Sequence, residues 1–402
     1  MLDVYWGEFG INPIPLEMSL NWCSHACAYC FANLNNPERT ADVGAIARLI
    51  AEYPSRKSVS AMLLRDGYPV LISNRVDPFA NSNYKQSLPI IRQLHEMGIP
   101  VAIQTKGGRG IDDVLEYLPP SCWYISISFW DDARRRQIEP GATSVKDRLA
   151  LMEKLSAKGH VVYLGLNPLV PEWLPDPMPL LRACKDSGVY GVWTELLHLN
   201  KSQAERLTDK ERAALGEDVI ARADMLAPDD EKNYWEDARA CVLSLGMEVF
   251  SIRQTNKSAF FEPYRRLYPN TFSVHQDFVN WCHDSIEDGA LVSFDDYWGV
   301  MSRGLPVGVH LIENYLRVPN RAAFLTHKIP ARMTYRQLLQ IAWADGRMWL
   351  SPSRFGCFGY AAERDGKGWV SLVDENNLPY MVFKKTELND FYAEVEVVNK
   401  NK

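Results

Sequence analysis

Short apolar segments alternate with amphipathic segments between residues 11 and 252 of this 402-residue chain. The apolar segments are residues 69–73, 100–104, 123–128, 160–166, 189–196 and 247–252. The amphipathic segments, which predict helices, include residues 42–53, 85–97, 144–158 and 178–186. Continuous apolar runs are typical of buried parallel strands, and their alternation with helices builds a parallel sheet or barrel. We therefore predict an α/β fold with its active site at the carboxyl ends of the strands.

Polar residues end or follow several of these strands, at the edge where the active site is expected. They are Ser73, Asn74, Thr105, Lys106, Ser126, Ser128 and Asn167. The carboxyl ends of parallel strands meet at one edge of the sheet, so these side chains are candidates for a shared site.

The strand–helix rhythm fades after about residue 253. Residues 332–347 predict a helix, and residues 367–373 and 380–385 predict two strands around a turn. This pattern indicates an appended, smaller α+β unit. We therefore predict two domains, residues 1–252 and residues 253–402.

The composition is ordinary for a soluble globular protein, with 47% hydrophobic and 23% charged residues. Eight cysteines are too few for a disulfide framework, and residues 1–10 do not resemble a signal peptide. The longest stretch without formal charge, residues 18–37, contains Asn, Ser, His and Cys, so it does not predict a membrane span. We expect a reduced, cytoplasmic setting and no membrane partner.

The formal net charge of −6 is unevenly distributed. Residues 1–250 carry 26 Lys and Arg against 33 Asp and Glu, whereas residues 301–360 carry eight basic residues against two acidic ones. Eight aromatic residues are interleaved with the basic ones: Tyr315, Phe324, Tyr335, Trp343, Trp349, Phe355, Phe358 and Tyr360. Such a mixture can hold phosphates and stack on unpaired bases. The alternative is a small domain with an aromatic core and a basic surface.

Cys23, Cys27 and Cys30 form a C-x₃-C-x₂-C run directly after the predicted first strand. Three thiolates at this spacing can converge on one soft metal centre, and iron–sulfur clusters are held by cysteine thiolates. Zinc prefers four ligands, usually from two separated pairs, and no second C-x₂-C follows in the sequence. Three cysteines on a four-iron cluster would leave one iron open for a substrate or cofactor. A zinc site completed by His25 is the alternative.

This run, with Tyr29 before the last cysteine, resembles the signature of radical S-adenosylmethionine (SAM) enzymes. The resemblance covers roughly residues 11–252 and implies a partial (βα)₆ TIM-like barrel with a smaller C-terminal α+β accessory domain. It also implies a [4Fe–4S] cluster on Cys23, Cys27 and Cys30, with SAM on the fourth iron. Reduction of the cluster would cleave SAM to a 5′-deoxyadenosyl radical that abstracts hydrogen from the substrate.

A narrower resemblance joins the cysteine run to later segments, in order: residues 74–78, Thr105-Lys106, the Ser126–Ser128 strand end, residues 138–141 and residues 167–171. Together they are similar to the spore photoproduct lyase and DNA repair photolyase branch. Carried over by position, this resemblance implies that Ser73 or Asn74, Lys106, and Ser126 or Ser128 contact SAM. Tyr29, Thr105 and Asn167 are further SAM-binding candidates. Lys106 can neutralise the SAM carboxylate and a serine hydroxyl can bind a ribose hydroxyl. Tyr29 and Lys106 are the catalytic candidates.

The sequence departs from that branch where spore photoproduct lyase carries a hydrogen-donating cysteine. At the equivalent place stand Ser73, Asn74 and Arg75, and residues 31–121 contain no cysteine. Cys122 begins a strand, so we expect it to be a packed thiol at the far end of the barrel. The first substrate hypothesis is therefore a modified thymine or other pyrimidine in DNA, repaired or modified, with residues 301–360 contacting the nucleic acid.

Two further hypotheses remain open. One is a radical SAM enzyme that acts on a small molecule or peptide, with the C-terminal domain as a lid. The other is a non-catalytic, metal-containing nucleic-acid-binding protein. For a radical SAM enzyme, whether it acts on DNA or on a small molecule or peptide, we expect a reducing partner such as flavodoxin or ferredoxin.

Overall fold

The computed structural model describes most of the chain outside residues 306–333. The described residues are 2–4, 12–14, 16–20, 22–35, 41–73, 75–223, 229–251, 258–303, 305, 334–346, 351–364, 369–386 and 392–394. Asn74 and much of the basic segment 301–360 therefore lie outside the described residues. No helix in the described ranges is long and apolar enough to cross a membrane.

An eight-stranded sheet in sequential strand order forms the first part of the molecule. Its strands are β1 (Leu2–Val4), β2 (Leu16–Met18), β3 (Val70–Ile72), β4 (Val101–Thr105), β5 (Cys122–Ser126), β6 (Val161–Leu169), β7 (Gly191–Leu196) and β8 (Glu248–Phe250). Strands β2 to β8 pair in parallel. The prediction of a parallel α/β sheet of the TIM-like partial-barrel type is therefore confirmed.

Helices connect these strands, as parallel strands require. They are α1 (Phe31–Asn35), α2 (Val43–Glu52), α3 (Val59–Arg65), α4 (Tyr84–Glu96), α5 (Ile111–Leu115), α6 (Asp132–Ile138), α7 (Val145–Ala157), α8 (Met178–Asp186), α9 (Lys201–Glu205), α10 (Asp209–Leu215), α11 (Glu217–Ala223) and α12 (Asp229–Ser244). Side chains that accept hydrogen bonds from the first helical turn start several of them, including Ser58 at α3, Asp131 at α6 and Ser144 at α7. Residues on the described strands are mostly buried, which accounts for their continuous apolar sequence.

Helix α13 (Glu262–Leu267) packs against the amino-terminal ends of two barrel strands. The Tyr268 hydroxyl donates to the Val101 carbonyl oxygen at 2.7 Å and accepts from the Cys122 backbone N–H at 2.8 Å. The Tyr163 ring contacts the rings of Phe260 and Tyr264. Cys122 is therefore a buried thiol at the end opposite the carboxyl edge, as the sequence predicts.

The C-terminal part is an α+β unit with an aromatic core. Its helices are α14 (His275–Ser285), α15 (Phe294–Met301) and α16 (Tyr335–Ala344), with a short 3₁₀ helix at Pro352–Arg354. Its strands are β9 (Leu291–Val292), β10 (Phe358–Arg364), β11 (Trp369–Ser371), β12 (Met381–Phe383) and β13 (Tyr392–Glu394). The two predicted strands are β11 and β12, but β10 lies between them and pairs antiparallel with both. The Gly-Tyr-Ala-Ala sequence of β10 has little strand character, so no strand is predicted there.

Backbone contacts divide the chain into two compact units. The first contains Leu16–Ser251 together with Ala259–Asn270, and the second contains the residues from 271 onward. The sequence-based boundary between residues 252 and 253 stays a prediction.

Candidate active site

Cys23, Cys27 and Cys30 lie in a tight loop between β2 and α1. The Ala26 N–H donates to the Cys23 carbonyl oxygen, the Cys30 N–H donates to that of Cys27, and Ala26 has a positive φ of 49°. The three thiols lie near enough for the charge of each to influence the others. The loop therefore gathers three sulfur donors in one place.

Burial sets the protonation of these thiols. It raises the pKa of Cys23 to about 12, and it also raises the pKa of Cys27 and Cys30. Among the described residues no group of three or more His, Cys, Asp or Glu side chains is arranged so that it could hold a metal ion without rearrangement. Cysteine binds metal as the thiolate, so a cluster bound here would displace three protons. Three clustered sulfur donors fit a soft iron–sulfur centre.

Residues 138–141, between α6 and α7, hold the cysteine loop from one side. The Ala28 N–H donates to the Ile138 carbonyl oxygen at 2.9 Å, and the Gly141 N–H donates to that of His25 at 3.0 Å. The His25 Nδ1 lies 2.9 Å from the Gly141 carbonyl oxygen. A Cβ on Gly141 would overlap the Ser24 carbonyl oxygen, so glycine allows the close approach of the two backbones.

Asp77 connects the cysteine loop to the ends of β3 and β4. Its Oδ2 lies 3.0 Å from the His25 Nε2 and accepts from the Lys106 backbone N–H at 2.6 Å, while the Thr105 hydroxyl donates to the carboxylate at 2.9 Å. Although burial opposes ionisation of both groups, their mutual attraction raises the pKa of His25 and lowers that of Asp77.

The Lys106 ammonium lies at the centre of a second network. Its Nζ lies 2.9 Å from the Glu139 Oε1, and it donates to the Tyr29 hydroxyl at 2.9 Å and to the Ser126 Oγ at 2.7 Å. Arg148 donates to the Glu139 Oε2 at 2.7 Å, and the Tyr29 hydroxyl donates to the Glu139 Oε1. The side chains of Glu139 and Arg148 are both fully buried.

Lys106 and Arg148, the two cations of this network, keep Glu139 ionised. Burial opposes ionisation of Glu139, but Lys106 and Arg148 hold its pKa well below the usual range. Burial, reinforced by Glu139, raises the pKa of Tyr29 well above that of a free phenol. The network therefore contains a fixed carboxylate and a neutral phenol.

The structure brings three of the predicted site residues together, namely Tyr29, Lys106 and Ser126. The Thr105 hydroxyl is engaged by Asp77, and the Ser73 Oγ accepts from the backbone N–H groups of Arg75 and Val76 at 3.3 Å each.

Ser128 and Asn167 take part in none of the hydrogen bonds of this cluster in the described part of the chain. Ser128 is buried, and its Oγ finds no hydrogen-bond partner in the described part of the chain. Asn167 is exposed and hydrogen-bonds the Tyr124 side chain, whereas Asn74 lies outside the described residues. The roles assigned to these residues stay predictions.

The sequence analysis named His25 only as the fourth ligand of an alternative zinc site and did not select Asp77, Glu139 or Arg148 as site residues. The one signal that pointed towards Glu139 was its place in segment 138–141, which is part of the narrower resemblance. Nothing in the sequence indicated that Arg148, inside helix α7, would face the same carboxylate.

The fold and this site define a partial-barrel domain with a candidate iron–sulfur site at the carboxyl edge of its sheet. Residues 19–176 match the family model of the radical SAM superfamily, and this range includes the cysteine loop and both networks. Residues 19–176 therefore form a radical SAM domain, and that family implies a [4Fe–4S] cluster and SAM as cofactors.

Curated relatives extend the similarity beyond this domain but do not carry an assigned activity. An uncharacterized protein of Mycobacterium tuberculosis is 28% identical over 210 residues, which cover 47% of this chain and 61% of the relative. An uncharacterized protein of Acidianus two-tailed virus is 23% identical over 235 residues, which cover 48% of this chain and 78% of the relative. The chain thus spans about three fifths of the mycobacterial relative.

Solved structures of radical SAM enzymes are also similar to this chain. A spore photoproduct lyase variant with bound AdoMet and dinucleoside spore photoproduct has a TM-score of 0.44 and 15% identity, covering 62% of this chain and 78% of that one. Streptococcus suis SuiB bound to S-adenosylmethionine has a TM-score of 0.31 and 13% identity, covering 50% of this chain and 45% of that one. At this level of similarity neither structure indicates a substrate for this chain.

Proposed function

We propose that the chain is a radical SAM enzyme in which Cys23, Cys27 and Cys30 hold the [4Fe–4S] cluster. When bound, the cluster and SAM supply a 5′-deoxyadenosyl radical that abstracts a substrate hydrogen. The observation that carries the proposal is that hydrogen bonds and ion pairs link the cysteine loop to the carboxyl ends of β4 and β5. Lys106, which follows β4, is at the centre of these contacts, because it pairs with Glu139 through its ammonium and with Asp77 through its backbone N–H.

The side chains around the loop have separate tasks in this proposal. The Lys106 ammonium binds the SAM carboxylate, and the Ser126 hydroxyl binds a ribose hydroxyl. The Tyr29 ring lies 5.6 Å from the Trp173 ring, which in turn stacks on Phe129. This aromatic group shields the site from water on the side of the cysteine loop.

Anaerobic reconstitution tests the cluster assignment. We expect the wild-type chain to take up four irons and to convert SAM to 5′-deoxyadenosine on reduction. Cys27→Ala should lose both properties, because two thiolates cannot hold the cluster in place. Cys241→Ala, which changes a cysteine on α12, is the matched control and should retain both. Iron uptake and cleavage at wild-type levels in Cys27→Ala would contradict the assignment.

As the substrate we propose a modified thymine or other pyrimidine in DNA, for base modification or repair. The support is the ordered resemblance of residues 74–78, Thr105-Lys106 and the later segments to the DNA repair photolyase branch. Residues 31–121 contain no cysteine to donate a hydrogen, which favours modification over dimer reversal. The base would have to leave the stack, at a cost of a few kcal/mol when it is paired.

The predicted nucleic-acid segment 301–360 is described in part. Five of its aromatic residues are buried: Tyr335, Trp343, Phe355, Phe358 and Tyr360. They belong to the core of the α+β unit, so they are not available to stack on bases. Tyr315, Phe324 and Trp349 lie outside the described residues. Contact with DNA through this segment therefore depends on its basic side chains and on those three aromatics.

Binding of duplex and single-stranded DNA at two salt concentrations tests the DNA proposal. We expect binding that weakens steeply between 50 and 200 mM salt, because lysine and arginine contacts with phosphates release counterions. Absence of binding to both forms at the lower salt would refute a DNA substrate, while leaving the radical SAM assignment intact.

A small molecule or peptide is the second candidate substrate. It is favoured by the buried aromatic residues of the C-terminal unit and by the net charge of −7 on residues 1–250. Formation of 5′-deoxyadenosine in the presence of nucleoside, peptide and metabolite pools would separate the two candidates. A flavodoxin or ferredoxin reductant and a cytoplasmic location stay predictions.

A further inference from the structure

Glu139 lies between two cations, the buried Arg148 and the more accessible Lys106. Arg148 donates to the Glu139 Oε2 and also to the carbonyl oxygens of Ser126 at 2.7 Å and Thr143 at 3.1 Å. The side chains of Arg148 and Glu139 are both 0% exposed, whereas that of Lys106 is 17% exposed. Arg148 and Glu139 are therefore inaccessible to a ligand, and Lys106 is the member of the set that a ligand can reach.

The Lys106 side chain is flexible by nature but restrained here. A lysine side chain has about 2 kcal/mol of rotamer entropy, so an unrestrained ammonium samples many positions. In this site the ammonium lies 2.9 Å from the Glu139 carboxylate, 2.9 Å from the Tyr29 hydroxyl and 2.7 Å from the Ser126 Oγ. Asp77 restrains the same residue through its backbone N–H. The ammonium is thus held in place before any ligand arrives.

We propose that Glu139, anchored by Arg148, is a positioning residue for SAM: it holds the Lys106 ammonium where that group meets the SAM carboxylate. The inference rests on the proposed function, since it requires SAM to bind beside Lys106. Glu139 acts through Lys106 and does not itself contact SAM.

A simple charge argument predicts the opposite effect of neutralising Glu139. Lys106 and Arg148 carry two positive charges against one negative charge on Glu139. Replacing Glu139 with glutamine removes a negative charge near the incoming carboxylate, so electrostatic attraction alone would tighten SAM binding. If positioning dominates, the same change releases the ammonium and weakens binding. The direction of the change therefore separates the two effects.

The experiment measures SAM affinity by equilibrium dialysis on the reconstituted, cluster-containing protein. We expect Glu139→Gln to weaken SAM binding by about tenfold or more, equivalent to about 1.4 kcal/mol, with iron content unchanged. The electron paramagnetic resonance spectrum of the reduced cluster should shift on SAM addition in the wild type, and this shift should shrink in the variant. The matched control is Glu52→Gln on α2, where the carboxylate forms an exposed pair with Arg56.

Glu139→Asp provides a second variant, because it keeps the charge but withdraws the carboxylate by one methylene. Weaker SAM binding in Glu139→Asp with normal iron content supports the proposal that Glu139 positions Lys106. This result would support the proposal even if Glu139→Gln failed to hold the cluster. Equal or tighter binding with a wild-type spectral shift, in whichever of the two variants retains iron, overturns the inference. Failure of the wild-type protein to bind SAM would instead refute the proposed function on which the inference rests.

Discussion

Glu139 and Gly141 support the cysteine loop in two different ways although they are two residues apart. A buried carboxylate costs several kcal/mol unless its charge is compensated, and Lys106 and Arg148 supply that compensation for Glu139. Gly141 acts through its backbone, which exchanges hydrogen bonds with His25. Segment 138–141 therefore fixes both the loop that carries the three cysteines and the lysine beside it.

Gly141→Ala should displace the cysteine loop. The new Cβ would overlap the Ser24 carbonyl oxygen and lie 2.8 Å from the His25 Cα, and neither backbone atom can rotate away as a side chain can. We expect reduced iron uptake on reconstitution, with the helix content measured by circular dichroism preserved. Gly299→Ala on α15, where nothing lies within 4 Å of the added methyl group, should reconstitute normally. Full iron uptake in Gly141→Ala would show that the loop tolerates the displacement.

At the scale of elements, the apolar runs were sufficient to predict the parallel strands. Residues 178–186 are predicted as a helix and form α8 with the same bounds, and β3 to β8 overlap their predicted segments. Helix α6 was not predicted, because its Asp-Ala-Arg-Arg-Arg sequence has little apolar periodicity and its side chains are fixed by polar contacts. Arg135 is one of these, since it donates to the carbonyl oxygens of Glu139 and Ala142.

The alternation of apolar strands and helices also explains which site residues could be predicted from the sequence. Polar residues at strand ends identified Lys106 and Ser126, which do meet. Thr105 ends β4 and Lys106 follows it, and their side chains have different partners: the Thr105 hydroxyl donates to Asp77, whereas the Lys106 ammonium pairs with Glu139. Glu139 and Arg148 come from the α6–α7 connection and from α7, and their approach to Lys106 depends on helix packing that a single sequence does not encode locally.

For the whole molecule, the average charge of −6 concealed two regions of different character. The part with the parallel sheet contains the networks of buried ion pairs, while residues 301–360 carry eight basic residues against two acidic ones. Buried titratable groups make the stability of the folded chain depend on pH. Asp77 and Glu139, whose pKa values are lowered in the folded chain, contribute stability that is constant above about pH 5 and is lost as the pH falls further.

His160 should make the metal-free chain less stable as the pH falls from 7 to 5. Its Nδ1 lies 3.2 Å from the donating Ser121 N–H, and burial and Lys158 lower its pKa from 6.5 to about 4. A lowered folded-state pKa gives stability that is present above the unfolded value and is lost as the pH falls towards the folded one. The expected loss in the free energy of unfolding is about 2 kcal/mol over this window. Because His25 has a raised pKa and acts in the opposite direction, urea unfolding of wild type should be compared with His160→Gln. Parallel pH profiles for the two chains would show that His160 is protonated as readily in the folded chain as in the unfolded one.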